Sequence, residues 1–209
     1  MSTVIIFAGG DPVPVGLIDE LPDADLVVAA DSGLEVADSL GYRVDTIVGD
    51  LDSVEGPLPS SAEVIRHPID KDATDLELAL ELGALSEPFR LVLVGAEGGR
   101  YDHEVGAAAT LASPRWAGVP ESDWVRSDAT VHVVRGTRRL QADIGQLISL
   151  IPMHGPAGGV TTSGLSWPLD GATLAAGSSR GMSNRFVATE AVVRVGAGVV
   201  LAVLPQVSV

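Results

Sequence analysis

The sequence predicts a two-part α/β protein: an N-terminal open parallel sheet with crossover helices, then a small antiparallel β-sandwich. Three observations predict it. Brief Val- and Ile-rich runs alternate with helix-length segments up to about residue 113, no helix-period segment remains beyond about residue 128, and the stretches after five successive apolar runs deliver Gly or Asp.

Residues 4–8, 26–30, 46–48, 63–66 and 91–94 are short apolar runs of the kind that a parallel sheet buries on both faces. Between them, 33–40, 74–85 and 102–112 have the length and the Ala, Leu and Glu content of crossover helices. This βαβ succession is that of a Rossmann-like open sheet. Farther on, 130–134, 139–142, 147–152, 160–162, 185–188, 190–195 and 199–204 read as short strands punctuated by Gly and Pro, the pattern of a small sandwich. The join is expected within 113–127, where Pro114, Gly118 and Pro120 interrupt periodicity, while Trp116 and Trp124 predict a packed connection. The domains are therefore expected at 1–120 and 121–209.

The 209 residues suffice to bury a core, and 46% hydrophobic with 20% charged residues is a globular composition. No apolar run approaches the roughly 20 residues of a membrane helix. The first apolar stretch, residues 4–8, has no basic region before it and reads as the first strand of a cytoplasmic protein. The chain has no cysteine, which excludes disulfides, thiolate metal sites and a cysteine nucleophile. A formal charge of −15 without a basic patch speaks against nucleic acid and suits a cationic substrate or one carried with a divalent metal.

In open α/β sheets ligands bind beyond the carboxyl ends of the strands. Those ends here are Gly9 and Gly10, Asp31, Asp50 and Asp52, the stretch from His67 to Asp75, and the stretch from Gly95 to Asp102. Asp50 and Asp52 offer hard oxygens to a divalent cation that bridges phosphates, or are turn-forming aspartates. Asp72, Thr74 and Asp75 open a helix, where Asp and Thr also cap free N–H groups, and Lys71 stands among them. Gly98-Gly99-Arg100 presents a fork-shaped cation on a turn, fit for phosphate or for solvent, and Asp102 and His103 open the next helix. The G-x-G-x-x-G and G-x-x-x-x-G-K-[ST] motifs are both missing.

In order and spacing, Ala30-Asp31-Ser32-Gly33, Gly49-Asp50-Leu51-Asp52-Ser53, Asp70-Lys71-Asp72-Ala73-Thr74-Asp75-Leu76-Glu77 and Gly98-Gly99-Arg100-Tyr101-Asp102-His103 resemble the motif series of the thiamine pyrophosphokinase family. Ser163-Gly164-Leu165-Ser166-Trp167-Pro168-Leu169 and Gly181-Met182-Ser183-Asn184 resemble its C-terminal signatures. The resemblance implies transfer of diphosphate from ATP to the hydroxyl of thiamine, giving thiamine diphosphate and AMP, by a homodimer with an α/β nucleotide domain and a thiamine-binding β-sandwich.

Carried over by motif, Asp50, Asp52 and Asp75 would bind Mg2+, Asp102 would orient the metal or the attacking hydroxyl, and Arg100 would neutralise phosphate charge. Gly9, Gly10 and Asp31 would face the nucleotide, with Lys71 and Thr74 bordering the phosphates. Trp167, Ser183 and Asn184 would form the thiamine end, although Trp167 taken alone also reads as a sandwich-core residue. The chain departs from the family pattern after His103: Glu104 and Ala107 stand where Thr and Asn are usual. These departures keep two alternatives open, a pyrophosphokinase for another heterocyclic alcohol such as a hydroxymethylpterin, and a non-catalytic thiamine-binding protein.

Overall fold

The computed structural model describes residues 1–206 except 53 and 55, so Ser53 of the motif that begins at Gly49 lies outside the described residues. The chain divides into two compact units, one of Met1–Leu111 with Gly118–Ser127, the other of Ala112–Ala117 with Asp128–Val209.

The first unit is built on β1 (Thr3–Ala8), β2 (Leu26–Ala30), β3 (Thr46–Gly49), β4 (Glu63–Arg66), β5 (Arg90–Gly95) and β6 (Glu121–Val125). They lie in the order β4-β3-β2-β1-β5-β6, every pair parallel. Helices α1 (Gly33–Ser39), α2 (Asp75–Leu85) and α3 (Tyr101–Leu111) occupy the crossovers expected for them. Every residue of β1 is buried because both faces are covered. Ile5 and Phe7 join a core with Leu34 and Ala37 of α1. On the other face a Cβ at Gly83 of α2 would stand 3.1 Å from Val4 and 3.2 Å from Ile6, so glycine lets α2 approach closely.

One expectation fails here. The stretch assigned to the join contains β6, which pairs in parallel with β5 from Arg90↔Glu121 to Val94↔Val125 and belongs to the first unit. Its polar middle disguised it. Ser122 and Asp123 are buried, and Asp123 is neutralised by Arg90 Nε at 2.8 Å, so a strand with a charged residue at its centre is still interior. The expected packing of Trp116 and Trp124 holds, both being buried.

The second unit is antiparallel throughout: β7 (Ala129–Val134), β8 (Thr137–Gln141), β9 (Leu147–Ser163), β10 (Ala172–Leu174), β11 (Asn184–Arg185), β12 (Glu190–Arg194) and β13 (Ala197–Pro205). The runs 147–152 and 160–162, expected as two strands, form the single strand β9. It bends through His154, Gly155 and Gly159, all with positive φ, so these glycines turn the strand instead of ending it. Its first part pairs with β13 and its last part with β12, which also pairs with β8. The two pairings close on one core that includes Ile148, Leu150, Val200 and Ala202 together with Leu140, Ala191, Val193 and Phe186. The expected strand 185–188 shrinks to Asn184–Arg185, because Phe186 turns into the core and makes a lone bridge to Leu165. Among the described residues no helix is long and apolar enough to cross a membrane.

Candidate active site

The sheet order reverses between β1 and β5, and a cavity of about 880 Å³ opens at the carboxyl ends on either side of that point. All five expected strand ends reach it, through Gly9 and Gly10, Asp31, Asp50 and Asp52, Lys71 with Ala73, Thr74 and Asp75 but not Asp72, and Gly98, Gly99, Arg100 and Asp102.

Parallel pairing explains why the acids meet. Ala30 of β2 is registered with Val48 of β3, and the Asp31 N–H donates to the Val48 carbonyl at 2.9 Å, so the residues that follow the two strands emerge side by side. Asp31, Asp50 and Asp52 each bring a carboxylate oxygen within 4.8 Å of the others. Asp75 arrives from the start of α2. A Cβ at Gly49 would stand 3.1 Å from its Oδ1 and 3.2 Å from the Asp31 Cβ, so the turn at Gly49 leaves room for both acids.

Lys71 organises the near side, with Nζ 2.9 Å from Asp50 Oδ2 and 3.0 Å from Asp75 Oδ1. The hydrogen bond from Lys71 holds the Asp50 carboxyl below its usual range, helped by the Asp52 backbone N–H. Burial opposes the Lys71 charge, but the bonds to Asp50 and Asp75 outweigh it and push the ammonium up. Thr74 is the N-cap of α2, its hydroxyl accepting from the Glu77 N–H at 3.2 Å. Capping and cavity lining thus hold together in one segment. Arg100 grips Asp102 through Nε at 3.2 Å and Nη2 at 2.6 Å, and both side chains stay largely exposed at the mouth. That hydrogen bond lowers the Asp102 pKa.

Of the expected metal ligands, Asp50 and Asp52 fall in the close carboxylate group together with Asp31, which the motif series assigns to the nucleotide. Asp75 borders the group and is held by Lys71. The signal that found Asp31 was its position after a strand; only register could pair it with Asp50. His103 and Ala107 also line the cavity, whereas Glu104 does not.

A second cavity, of about 450 Å³, belongs to the second unit and is lined by Trp167, Met182, Ser183 and Asn184 among others. Trp167 is 60% exposed and is no core residue. Asn184 is buried, and its amide clasps the Trp167 backbone: Oδ1 accepts from the Trp167 N–H at 3.0 Å and the Arg185 N–H at 2.8 Å, while Nδ2 donates to the Trp167 carbonyl at 2.7 Å. Its carbonyl and one amide hydrogen are thereby committed to shaping the loop. Ser183 takes a left-handed φ of 58° beside it, with its N–H donating to Ser149 Oγ at 3.0 Å.

Known proteins resemble this chain in sequence and in fold. Residues 18–119 match the model of the thiamin pyrophosphokinase catalytic domain, and residues 131–200 match that of the thiamin pyrophosphokinase vitamin B1 binding domain. The chain is 28% identical over 159 residues to thiamine pyrophosphokinase 1 of Oryza sativa subsp. japonica, a stretch that is 68% of this chain and 59% of the rice protein. The chain therefore spans less than two thirds of that relative. It is 27% identical over 201 residues to thiamine pyrophosphokinase of Bacillus subtilis, covering 90% of this chain and 91% of that one. The crystal structure of the Bacillus subtilis thiamine pyrophosphokinase superposes with a TM-score of 0.83 at 21% identity, over 99% of this chain and all of the other, and so shares its fold. With both domain models matched in order on the two units that carry the two cavities, the chain belongs to the thiamine pyrophosphokinase family.

Proposed function

We propose that this protein is a thiamine diphosphokinase, an ATP-dependent enzyme that moves an intact diphosphate to the hydroxyl oxygen of thiamine. The oxygen of the alcohol bonds to the β-phosphorus as its proton passes to water, the bond from that phosphorus to the bridging oxygen of AMP breaks, and AMP leaves as thiamine diphosphate forms. The observation that carries the reading is the meeting of Asp31, Asp50 and Asp52 at the switch point of the sheet.

Hard carboxylate oxygens within 4.8 Å of one another fit Mg2+, and Asp50 and Asp52 with Asp31 or Asp75 would hold it. When bound, the ion neutralises phosphate oxygens and makes the phosphorus a better electrophile. The remaining work is positioning, since phosphoryl-type transfer asks little covalent chemistry of the protein. Gly9 and Gly10 give the nucleotide close access to the backbone after β1. Lys71 fixes Asp50 and Asp75 relative to each other. Arg100, held at the mouth by Asp102, is placed to take up charge on the phosphates, and Asp102, kept ionised, accepts a hydrogen bond from the attacking hydroxyl. Trp167 offers an exposed indole face on which a cationic heterocycle stacks for about 0.5–2 kcal/mol.

Incubation with ATP, Mg2+ and thiamine tests the proposal, with AMP and thiamine diphosphate as the expected products. ADP in their place overturns diphosphate transfer. AMP released only with another alcohol, such as a hydroxymethylpterin, assigns a different acceptor, and thiamine binding without turnover assigns a binding protein. The reading includes a homodimer, which sedimentation at micromolar concentration checks.

A further inference from the structure

Glu104 stands where the family pattern has Thr, and the structure gives it a task outside the cavity. Its carboxylate reaches back from the first turn of α3: Oε1 accepts from the Gly98 N–H at 2.7 Å, and Oε2 accepts from Arg126 Nη2 at 3.2 Å. Its own N–H donates to the Arg100 carbonyl at 3.3 Å. One residue therefore holds both ends of the Gly98-Gly99-Arg100 turn. That turn needs holding, because Gly98 and Gly99 take successive left-handed φ values of 73° and 64° and glycine has more backbone freedom to lose than any other residue.

The far end of the clasp is fixed as well. The Arg126 guanidinium lies 4.5 Å over the Trp124 ring, whose Nε1–H donates to the Gly95 carbonyl at 2.7 Å. It also stands 3.8 Å from Glu97, a buried carboxylate that accepts from the Ser127 N–H at 2.8 Å and from the Ser127 hydroxyl at 2.9 Å. The Glu97 carbonyl in turn accepts from the Asp11 N–H at 2.7 Å, tying in the loop after β1. Arg126 is enclosed by a ring and two acids and is largely buried, so Glu104 is anchored to a partner that is itself held in place by packing.

We propose that Glu104 is a positioning residue, which clamps the Gly98-Gly99 turn against Arg126 so that Arg100 is presented to the cavity in one orientation. This rests on the reading of the cavity as a phosphate site. The test is hydrogen exchange at the Gly98 amide together with ATP affinity by calorimetry, on the unaltered protein and on Glu104→Ala, Glu104→Gln, Arg100→Ala and the Glu104→Ala/Arg100→Ala pair. Loss of a charge-assisted bond predicts Gly98 exchange about tenfold faster in Glu104→Ala. Glu104→Gln, which keeps a carbonyl for Gly98, should exchange within about threefold of the unaltered protein. ATP affinity should fall in Glu104→Ala, and the double variant should lose no more than Arg100→Ala alone. Unchanged Gly98 exchange in Glu104→Ala overturns the clamp, and losses that multiply in the double variant overturn its action through Arg100. Failure of the unaltered protein to bind ATP sinks the phosphate reading instead, while Gly98 exchange still decides the clamp. Should the alanine variant not fold, Glu104→Thr, too short to span both partners, takes its place.

Discussion

Lys71 and Asp50 form an ion pair of 2.9 Å at the wall of the cavity, and it moves their pKa values apart, Asp50 downward and Lys71 upward. A depressed carboxyl contributes stability above its unfolded pKa and loses it as pH falls through the folded value; a raised ammonium contributes below its unfolded pKa and loses it as pH rises through the folded value. Both contributions are complete between about pH 5 and 9. The melting temperatures of the unaltered protein and of Lys71→Met should therefore differ by a constant amount across that range. The gap should close below about pH 4, and a gap that widens on acidification contradicts the pairing.

Asp50→Asn and Asp52→Asn each keep the side-chain volume and remove one hard-oxygen charge. Turnover should fall by about 100-fold or more in either, with melting temperature nearly unchanged in Asp52→Asn and lowered in Asp50→Asn, which gives up the charge paired with Lys71. Asp31→Asn should behave alike, because the parallel register places Asp31 in the same group. Kinetics over a range of Mg2+ concentration check this, and normal rates at low Mg2+ in all three variants remove the metal assignment.

Arg100→Ala should reduce the turnover number, through lost stabilisation of charge developing on the phosphates. Trp167→Ala should chiefly raise the Michaelis constant for thiamine. Because Trp167 is exposed, its truncation should change stability by only about 0.5 kcal/mol, far from the 3–5 kcal/mol of a core tryptophan. Thermal melting beside steady-state kinetics separates these outcomes, and unchanged thiamine affinity in Trp167→Ala detaches the second cavity from the substrate.

Asp123→Ala should be the costly change in the sheet of the first unit. The carboxylate is fully buried and its removal takes a charge-assisted bond from Arg90, whose side chain is partly exposed, a loss of about 2 kcal/mol in chemical denaturation. A loss under 1 kcal/mol makes the ion pair incidental to β6.

The parallel sheet was legible because strands buried on both faces announce themselves as unbroken apolar runs, and the acids at their ends were legible because sheet topology puts ligands there. β6 escaped for the opposite reason. Its central Asp123 is paired with Arg90, a partner on a neighbouring strand that no local window contains. The same limit hid the companionship of Asp31 with Asp50, which depends on register between β2 and β3, and the commitment of Asn184 to the Trp167 backbone. Thr74 was legible in both of its roles, since helix capping is local and the cavity follows from chain order. In the second unit, Gly155 and Gly159 look locally like punctuation, and it is the ladder to β13 and β12 that carries β9 through them.

The length of β9 and its sharing between β13 and β12 bear on how the second unit comes into being. Leu201 and Ala202 pair with Ile151 and Leu150 on one side and with Val133 and His132 on the other, so the last strand described completes the ladder between two much earlier ones. Contacts of such wide sequence separation carry their loop-closure entropy before they return any stability, which makes assembly slow. While the polypeptide leaves the ribosome, β7 and β9 wait with open edges and uncovered valines, a state in which chains adhere to one another. Removing β13 should therefore yield insoluble material rather than a smaller folded protein, and slowing translation between β9 and β13 should lower the soluble yield.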